Sequence, residues 1–262
     1  LERERRLCRW DDNGISKSRK GKDMNFIEFS NELIKSNDID PDYVFLINHK
    51  NIYGVNSTFE LVKKKLLIYN LHSELLYSNN LITIDEIKFG NERQKSKKYF
   101  SIWEKNLSKL NLEMLLKFNG VDYLIFRENF KKIKGMGDWA CWKTADILEK
   151  VFDIKMKYNE LTFLQAYEYP LKGLLMLNNT VEDIRLYKNK NLFLNHLNFA
   201  KSLTNKINSN KYFNPSNILE LETLLCKYHS YCHKHYKPLD DLIKLRKIKQ
   251  DLRLIQYHNL LP

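Results

Sequence analysis

Two glycines one residue apart, Gly135 and Gly137, interrupt a run that reads FKKIKGMGDWACWKTADILEKVF from Phe130 to Phe152. The apolar spacing on either side is helical, so a helix must stop, turn sharply and restart at this point. Glycine lets backbone N–H groups approach a ligand that a Cβ would push away. The helix that restarts presents its unpaired N–H groups and positive dipole end to the same spot. Such an end suits an anion, a phosphate above all. A helix C-cap followed by a tight turn accounts for the same letters structurally, so the pair gains weight only from its surroundings.

Those surroundings are helical and basic. Only 8 Gly and 5 Pro stand among 262 residues, too few for a turn-rich β protein, and the long Leu, Ile, Lys, Glu and Asn segments predict an all-α fold. A hydrophobic share of 43% is enough for a substantial core. With no internal repeat or low-complexity linker, residues 1–262 read as one helical domain, in which 1–37 form a basic extension and a short helix. The formal charge of +12 and pI near 9.3 point to a polyanionic partner, nucleic acid before a membrane surface, although lysine-rich codon usage accounts for part of the excess. Cys8, Cys141, Cys226 and Cys232 form no C-x-x-C pair, which predicts a reduced, intracellular protein. No apolar run approaches the roughly 20 residues a bilayer requires, and LERERRLCRW lacks the apolar core of a signal peptide. A cytoplasmic location is expected.

In chain order, Lys17 to Lys22 (KSRKGK) form a basic loop, either a solvated linker or a phosphate-contacting arm. Met24 to Lys35 predicts a short helix with Phe26, Ile27, Leu33 and Ile34 inward, and Asp40 with Pro41 opens the next. Ser57 and Glu60 are spaced as a capping box for a longer helix. Residues 79–92 read as a loop with at most a short strand. Lys95 to Phe118 and Val121 to Ile133 read as helices parted by Asn119-Gly120. Beyond the glycine turn, Ala140, Thr144, Ile147 and Val151 share an inward face, while Trp139, Lys143, Asp146 and Lys150 share another. Trp139 serves equally as a packing anchor or a stacking platform. Pro170 predicts a bend carrying Lys172, residues 181–207 are helical, and Asn217 with Glu220 forms a second capping box.

The helix that follows is the richest in reactive side chains. Glu222, Cys226, His229 and His233 fall on one face, with Ile218, Leu221, Leu225 and Cys232 opposite and buried. The spacing of Cys226, His229 and His233 would suit zinc, but no second ligand pair lies upstream, so no metal is expected. Arg93 stands beside Glu92 at a helix start, where it either binds phosphate bidentately or pairs with Glu92. Lys172 next to Gly173 is a similar case.

In their order these blocks resemble the alpha-glutamyl/putrescinyl thymine pyrophosphorylase family, bacteriophage DNA-hypermodifying enzymes also described as amino acid:DNA transferases. The likeness runs from Asp38-Ile-Asp-Pro-Asp-Tyr through Gly90-Asn-Glu-Arg to Ile133-Lys-Gly-Met-Gly-Asp-Trp-Ala-Cys-Trp-Lys-Thr-Ala-Asp. It continues with Pro170-Leu-Lys-Gly-Leu and Glu220-Leu-Glu-Thr-Leu-Leu-Cys-Lys-Tyr-His-Ser, then His235-Tyr236 and Asp241, covering roughly residues 38–245. Gln94 replaces the second Arg of the family's E-R-R block, and Lys234 replaces a glycine before His235. The glycine turn itself is similar to the helix-hairpin-helix element of DNA glycosylases.

The resemblance implies a helical, glycosylase-like fold and a reaction on DNA in the infected bacterial cell. A hydroxymethyl-uracil base, already pyrophosphorylated, would lose pyrophosphate as the amine of an amino acid or polyamine attacks its exocyclic methylene. Pyrophosphate departure needs fixed cations, for which Arg93, Lys172 and Lys227 are the candidates. The amine's proton needs an acceptor, for which Glu222 and His235 are the candidates. Cys226 is either a nucleophile toward carbon six of the ring or a small buried hydrophobe. Gly135, Gly137, Trp139 and Lys143 would hold DNA, and Glu92, Asp146, Ser230 and Tyr236 would line the substrate. The resemblance fixes no cofactor, and Mg²⁺ would be compatible. Two other readings stay open. One is a base-excision glycosylase, with Asp153 as its nearest catalytic carboxylate and no iron–sulfur cysteine quartet. The other is a non-catalytic DNA-binding module.

Overall fold

A computed structural model describes residues 24–36, 41–71, 105–106, 108–133 and 136–243. The expectations for Lys17 to Lys22, Asp40, the 79–92 segment, Glu92, Arg93 and Gly135 fall outside the described residues. Nine α-helices organise the described chain: α1 (Phe26–Lys35), α2 (Pro41–Tyr53), α3 (Val55–Leu71), α4 (Leu112–Leu116), α5 (Tyr123–Phe130), α6 (Asp138–Phe152), α7 (Glu168–Leu177), α8 (Lys190–Thr204) and α9 (Ile218–Cys232). Short 3-10 turns at Glu160–Gln165 and Ile184–Lys188 join the later ones. Among the described residues the only β pairing is in isolated bridges, one of which ties Asp122 beside α5 to Lys157 beyond α6. The architecture is all-α.

Local chemistry explains most of the boundaries. Asn25 caps α1 by accepting from Ile27 and Glu28 N–H at 3.0 Å each, while the Glu28 carboxylate returns to Asn25 N–H at 3.1 Å. Asp122 caps α5 by accepting from Leu124 N–H, and Asn217 caps α9 by accepting from Leu219 N–H. Ser57 is no cap, because α3 already starts at Val55. The break before it is Gly54, whose φ of +83° is open to glycine. Pro170 makes no bend: it lies in the first turn of α7, where its missing N–H leaves no helical bond unmade. The predicted helix from Lys95 to Phe118 is broken at Asn111, which caps α4 instead. Glu220 makes no capping box either, since its carboxylate accepts from Asn214 N–H rather than from Asn217.

Two apolar clusters form the core. One gathers α2, α3, α5 and α6 around Phe45, Phe126, Trp142 and Ile147, and the other gathers α1, α7, α8 and α9 around Phe29, Leu174, Phe193 and Leu225. Each fully buried side chain of this size stabilises by about 1.5–3 kcal/mol. The last long helix, α9, is where they meet, giving Leu219 to the first cluster and Leu221, Leu224 and Leu225 to the second. Cys232, expected on that buried side, is exposed at the helix end. Helices α7 and α9 cross most intimately at Gly173. A Cβ there would lie 2.9 Å from the Leu225 carbonyl carbon and closer still to its oxygen. Among the described residues no helix is long and apolar enough to cross a membrane.

Candidate active site

The inward face of α6 is as expected, with Ala140, Thr144, Ile147 and Val151 all buried. Its second face is not solvated but closes against α2 and α9. Asp146 is completely buried and accepts from the Tyr43 hydroxyl and, at 3.4 Å, from Lys143 Nζ. Lys150 Nζ lies 3.9 Å from Asp146 and 3.3 Å from Glu220. Both ammonium groups also sit over the Tyr43 ring, at 4.7 and 4.8 Å from its centroid. Burial pushes the Glu220 carboxyl up to about 7, against the pull of Lys150 and the Asn214 N–H and with the help of Asp146. An open cleft of about 420 Å³ borders this network, lined by Tyr43, Lys150, Phe213 and Glu220 among others.

One turn further toward the start of α6, Trp139 meets the ring of Tyr167 edge-on at 6.4 Å. The Tyr167 hydroxyl donates to Cys226 Sγ at 3.0 Å and is also hydrogen-bonded to Glu222. Burial, then Cys226 and Glu222, raise this phenol well above its ordinary range, so it remains a protonated donor. Glu222 is buried. Cys226 is half-buried, and burial followed by the Glu222 charge pushes its thiol up to about 12 despite Tyr167, Lys143 and Lys227. The resting sulfur is a thiol, not a thiolate.

Two further cations stand by. Lys227 Nζ bonds Asp241 at 2.8 Å and the Tyr236 hydroxyl at 3.3 Å. Lys172 pairs with Glu168 at 2.5 Å, and although burial opposes its charge, Glu168 raises the ammonium above its usual range and keeps it protonated. Ser230 caps inward to the Cys226 carbonyl at 3.2 Å. His235 is exposed at the end of α9, its N–H on the Ser230 carbonyl at 2.9 Å and its ring 6.3 Å from His233.

The structure therefore brings Tyr167, Glu222 and Cys226 together, with the charges of Lys143 and Lys227 acting on the thiol. Lys227 holds Asp241 and Tyr236, and Lys143 also reaches Asp146 in the network further along α6. Lys143 points into that network rather than outward. Gly137 caps α6 in ordinary extended backbone, and a Cβ there would meet nothing within 4 Å. Space beside it is open to a ligand. The first α6 carboxylate, Asp138, meanwhile accepts from Arg127 and from Lys131 at 3.1 Å, two cations that flank the same helix end. Sequence reasoning missed Tyr167 and the part played by Tyr43. A tyrosine three residues before Pro170 carries no motif, and only the fold takes its hydroxyl to Cys226.

His229 and His233 do share a face, but they meet Glu182 and not Cys226. Possible ligand atoms of Glu182, His229 and His233 all lie within 4.8 Å of one another, so this cluster, unlike the Cys226 set, could hold a divalent metal.

The described residues are helical, the chain is basic, and a carboxylate, a thiol and a tyrosine hydroxyl meet at Glu222, Cys226 and Tyr167. Residues 45–237 match the model of the family described as amino acid:DNA transferase, and the chain belongs to that family. No curated protein matches it.

Proposed function

We propose that residues around Tyr167, Glu222 and Cys226 replace the pyrophosphate of a pyrophosphorylated hydroxymethyl-uracil base in DNA with the amine of an amino acid or polyamine. The carbon–nitrogen bond forms at the exocyclic methylene as the carbon–oxygen bond to pyrophosphate breaks, and the leaving oxygen keeps the electron pair. Lys172, Lys227 and Arg93 stabilise that charge. Glu222, with His235 as the outer alternative, takes the proton the amine loses. If Cys226 adds to carbon six, its proton leaves during attack, and the enolate so formed expels pyrophosphate to give an exocyclic methylene. The amine adds there, and the carbon–sulfur bond breaks as the ring double bond is restored. The observation that carries this reading is the Tyr167 hydroxyl shared between Cys226 and Glu222, because it orients both an acceptor and a sulfur toward one point.

The helix α5, the turn and the start of α6 are read as a helix-hairpin-helix docking element in a glycosylase-like single domain, 38–245 forming its core. Gly137 leaves room for a phosphate, with Gly135 read as its partner in the turn, Arg127 and Lys131 supply charge, and Trp139 packs against Tyr167. Lys143 and Asp146 position the interior, while Glu92, Ser230 and Tyr236 border the substrate. Flipping a base out of the duplex costs a few kcal/mol, which contacts to the basic surface offset. A glycosylase reading gains little, since Asp153 is the left-handed C-cap of α6 and pairs with Lys155 at 3.3 Å.

Incubating the protein with pyrophosphorylated hydroxymethyl-uracil DNA and a panel of amines, followed by nucleoside mass spectrometry, should yield an amine adduct. Intact pyrophosphate with every amine would sink the reading.

A further inference from the structure

We infer that Glu182, His229 and His233 bind one divalent transition-metal ion of the zinc class, at a site separate from the Cys226 centre. The loop after α7 supplies Glu182, and α9 supplies the two histidines one turn apart. Glu182 spans them, with Oε2 at 3.0 Å from His229 Nε2 and Oε1 at 3.3 Å from His233 Nε2. Ligand atoms about 2.0–2.1 Å from a tetrahedral zinc lie about 3.3 Å apart, so these separations already match those across one ion.

The tautomer of His233 carries the argument. Its Nδ1 lies 2.8 Å from the His229 carbonyl oxygen, which can only accept, so Nδ1 holds the hydrogen. In the neutral ring Nε2 is then a lone pair, aimed at a carboxylate oxygen 3.3 Å away. Two acceptors face each other there. Something positive must lie between them, either a proton on His233 or a metal ion. A backbone carbonyl that fixes the distal nitrogen is also the usual outer support of a metal-binding histidine.

His229 is compatible with the same ion. It is buried, its Nδ1 has no hydrogen-bond partner, and its Nε2 lies 3.0 Å from a Glu182 oxygen that can only accept. Without metal Nε2 therefore carries the hydrogen, and a bound ion would take that hydrogen's place, the hydrogen moving to Nδ1. Lys172 does not exclude a second cation, since Glu168 neutralises it at 2.5 Å. Two imidazoles and one carboxylate favour zinc or cobalt over Mg²⁺, which prefers an all-oxygen shell. Side-chain exposures of 27% for Glu182 and 29% for His233 leave one side open to water, so a fourth coordination position is accessible.

The test uses the full chain, stripped with chelator and titrated with Co²⁺ above neutral pH. Tetrahedral cobalt absorbs visibly, and one equivalent of absorbing Co²⁺ that Zn²⁺ displaces and Mg²⁺ does not is the expected result. Glu182→Gln and His233→Ala should each weaken binding by more than about tenfold, whereas His235→Ala should leave it unchanged. Glu182→Gln changes only a loop carboxylate, so it decides the matter if His233→Ala disturbs the helix end. Absence of the cobalt band overturns the site and leaves a protonated His233 as the positive group. Undiminished binding in Glu182→Gln, or equal loss in His235→Ala, overturns this ligand set. None of these readouts uses transfer activity, so the site stands or falls apart from the proposed reaction.

Discussion

Replacing Gly173 by Ala tests how closely α7 and α9 are packed. In an isolated helix the change stabilises by about 1 kcal/mol, because alanine loses less backbone freedom than glycine. Here the added Cβ would stand 2.9 Å from the carbonyl carbon and 3.3 Å from the Cα of Leu225. Carbon atoms rest at about 3.5–4.0 Å, so the helices must part by roughly 0.5–1 Å. The obstructing atoms are backbone and cannot rotate away as a side chain would. Parting the helices loosens Leu171, Leu174 and Leu175 on one side and Leu221, Leu224 and Leu225 on the other, all buried. Overpacking of this kind costs about 1–3 kcal/mol, and rigid backbone places it at the upper end. Set against the propensity gain, the net loss should be about 1–2 kcal/mol. Urea unfolding would show it as a lower midpoint at unchanged slope. A variant as stable as the parent, or more stable, would refute the close crossing.

Other substitutions address single features. Lys234→Gly should stabilise the protein by about 0.5–1 kcal/mol in chemical denaturation, because Lys234 has a φ of +61° at the end of α9. No gain would mean that the helix ends differently. At neutral pH iodoacetamide should label the exposed Cys232 at least about a hundredfold faster than Cys226, as read by peptide mass mapping. Equal labelling would contradict the raised thiol. Burial raises the Glu220 carboxyl from 4.5 to about 7, so the folded state holds this proton more tightly than the unfolded one. Its stabilising effect is complete below pH 4.5 and is lost as pH rises through about 7. Wild-type stability should therefore fall across that window by roughly 1–3 kcal/mol more than that of Glu220→Gln, and parallel curves would remove the buried-carboxyl account. Tyr167→Phe should slow transfer at least about tenfold while leaving DNA affinity intact, and an unchanged rate would dismiss the shared hydroxyl.

The helical class was legible because glycine and proline are scarce and side chains such as Ala140, Thr144, Ile147 and Val151 repeat at helical spacing. Caps formed by one residue and its own neighbours, as at Asn217, were legible too. Ser57 and Pro170 misled because a cap-like serine also fits inside a helix and proline also fits a first turn. Only the chain's geometry distinguishes these cases. Lys234 shows the converse. The resemblance placed a glycine there, and the reason is the pair of hydrogen bonds from Lys234 and His235 N–H to the Tyr231 and Ser230 carbonyls, which close α9 through a left-handed residue. Helical spacing put Glu222, Cys226, His229 and His233 on one face, but not which partners they would meet. Tyr167 and Glu182 come from loops before and after α7, and such long-range partners leave no periodic trace.

The position of α9 between two apolar clusters has a consequence for amide exchange. Opening it disturbs both clusters, so the N–H groups from Leu221 to Leu225 should exchange only through global unfolding. Glu222 and Cys226, proposed as the reacting carboxylate and sulfur, are thus mounted on a helix held from both sides. Tyr167 and Glu182 lie in the segments before and after α7, outside α7 and α9 themselves, and exchange there should be faster by orders of magnitude.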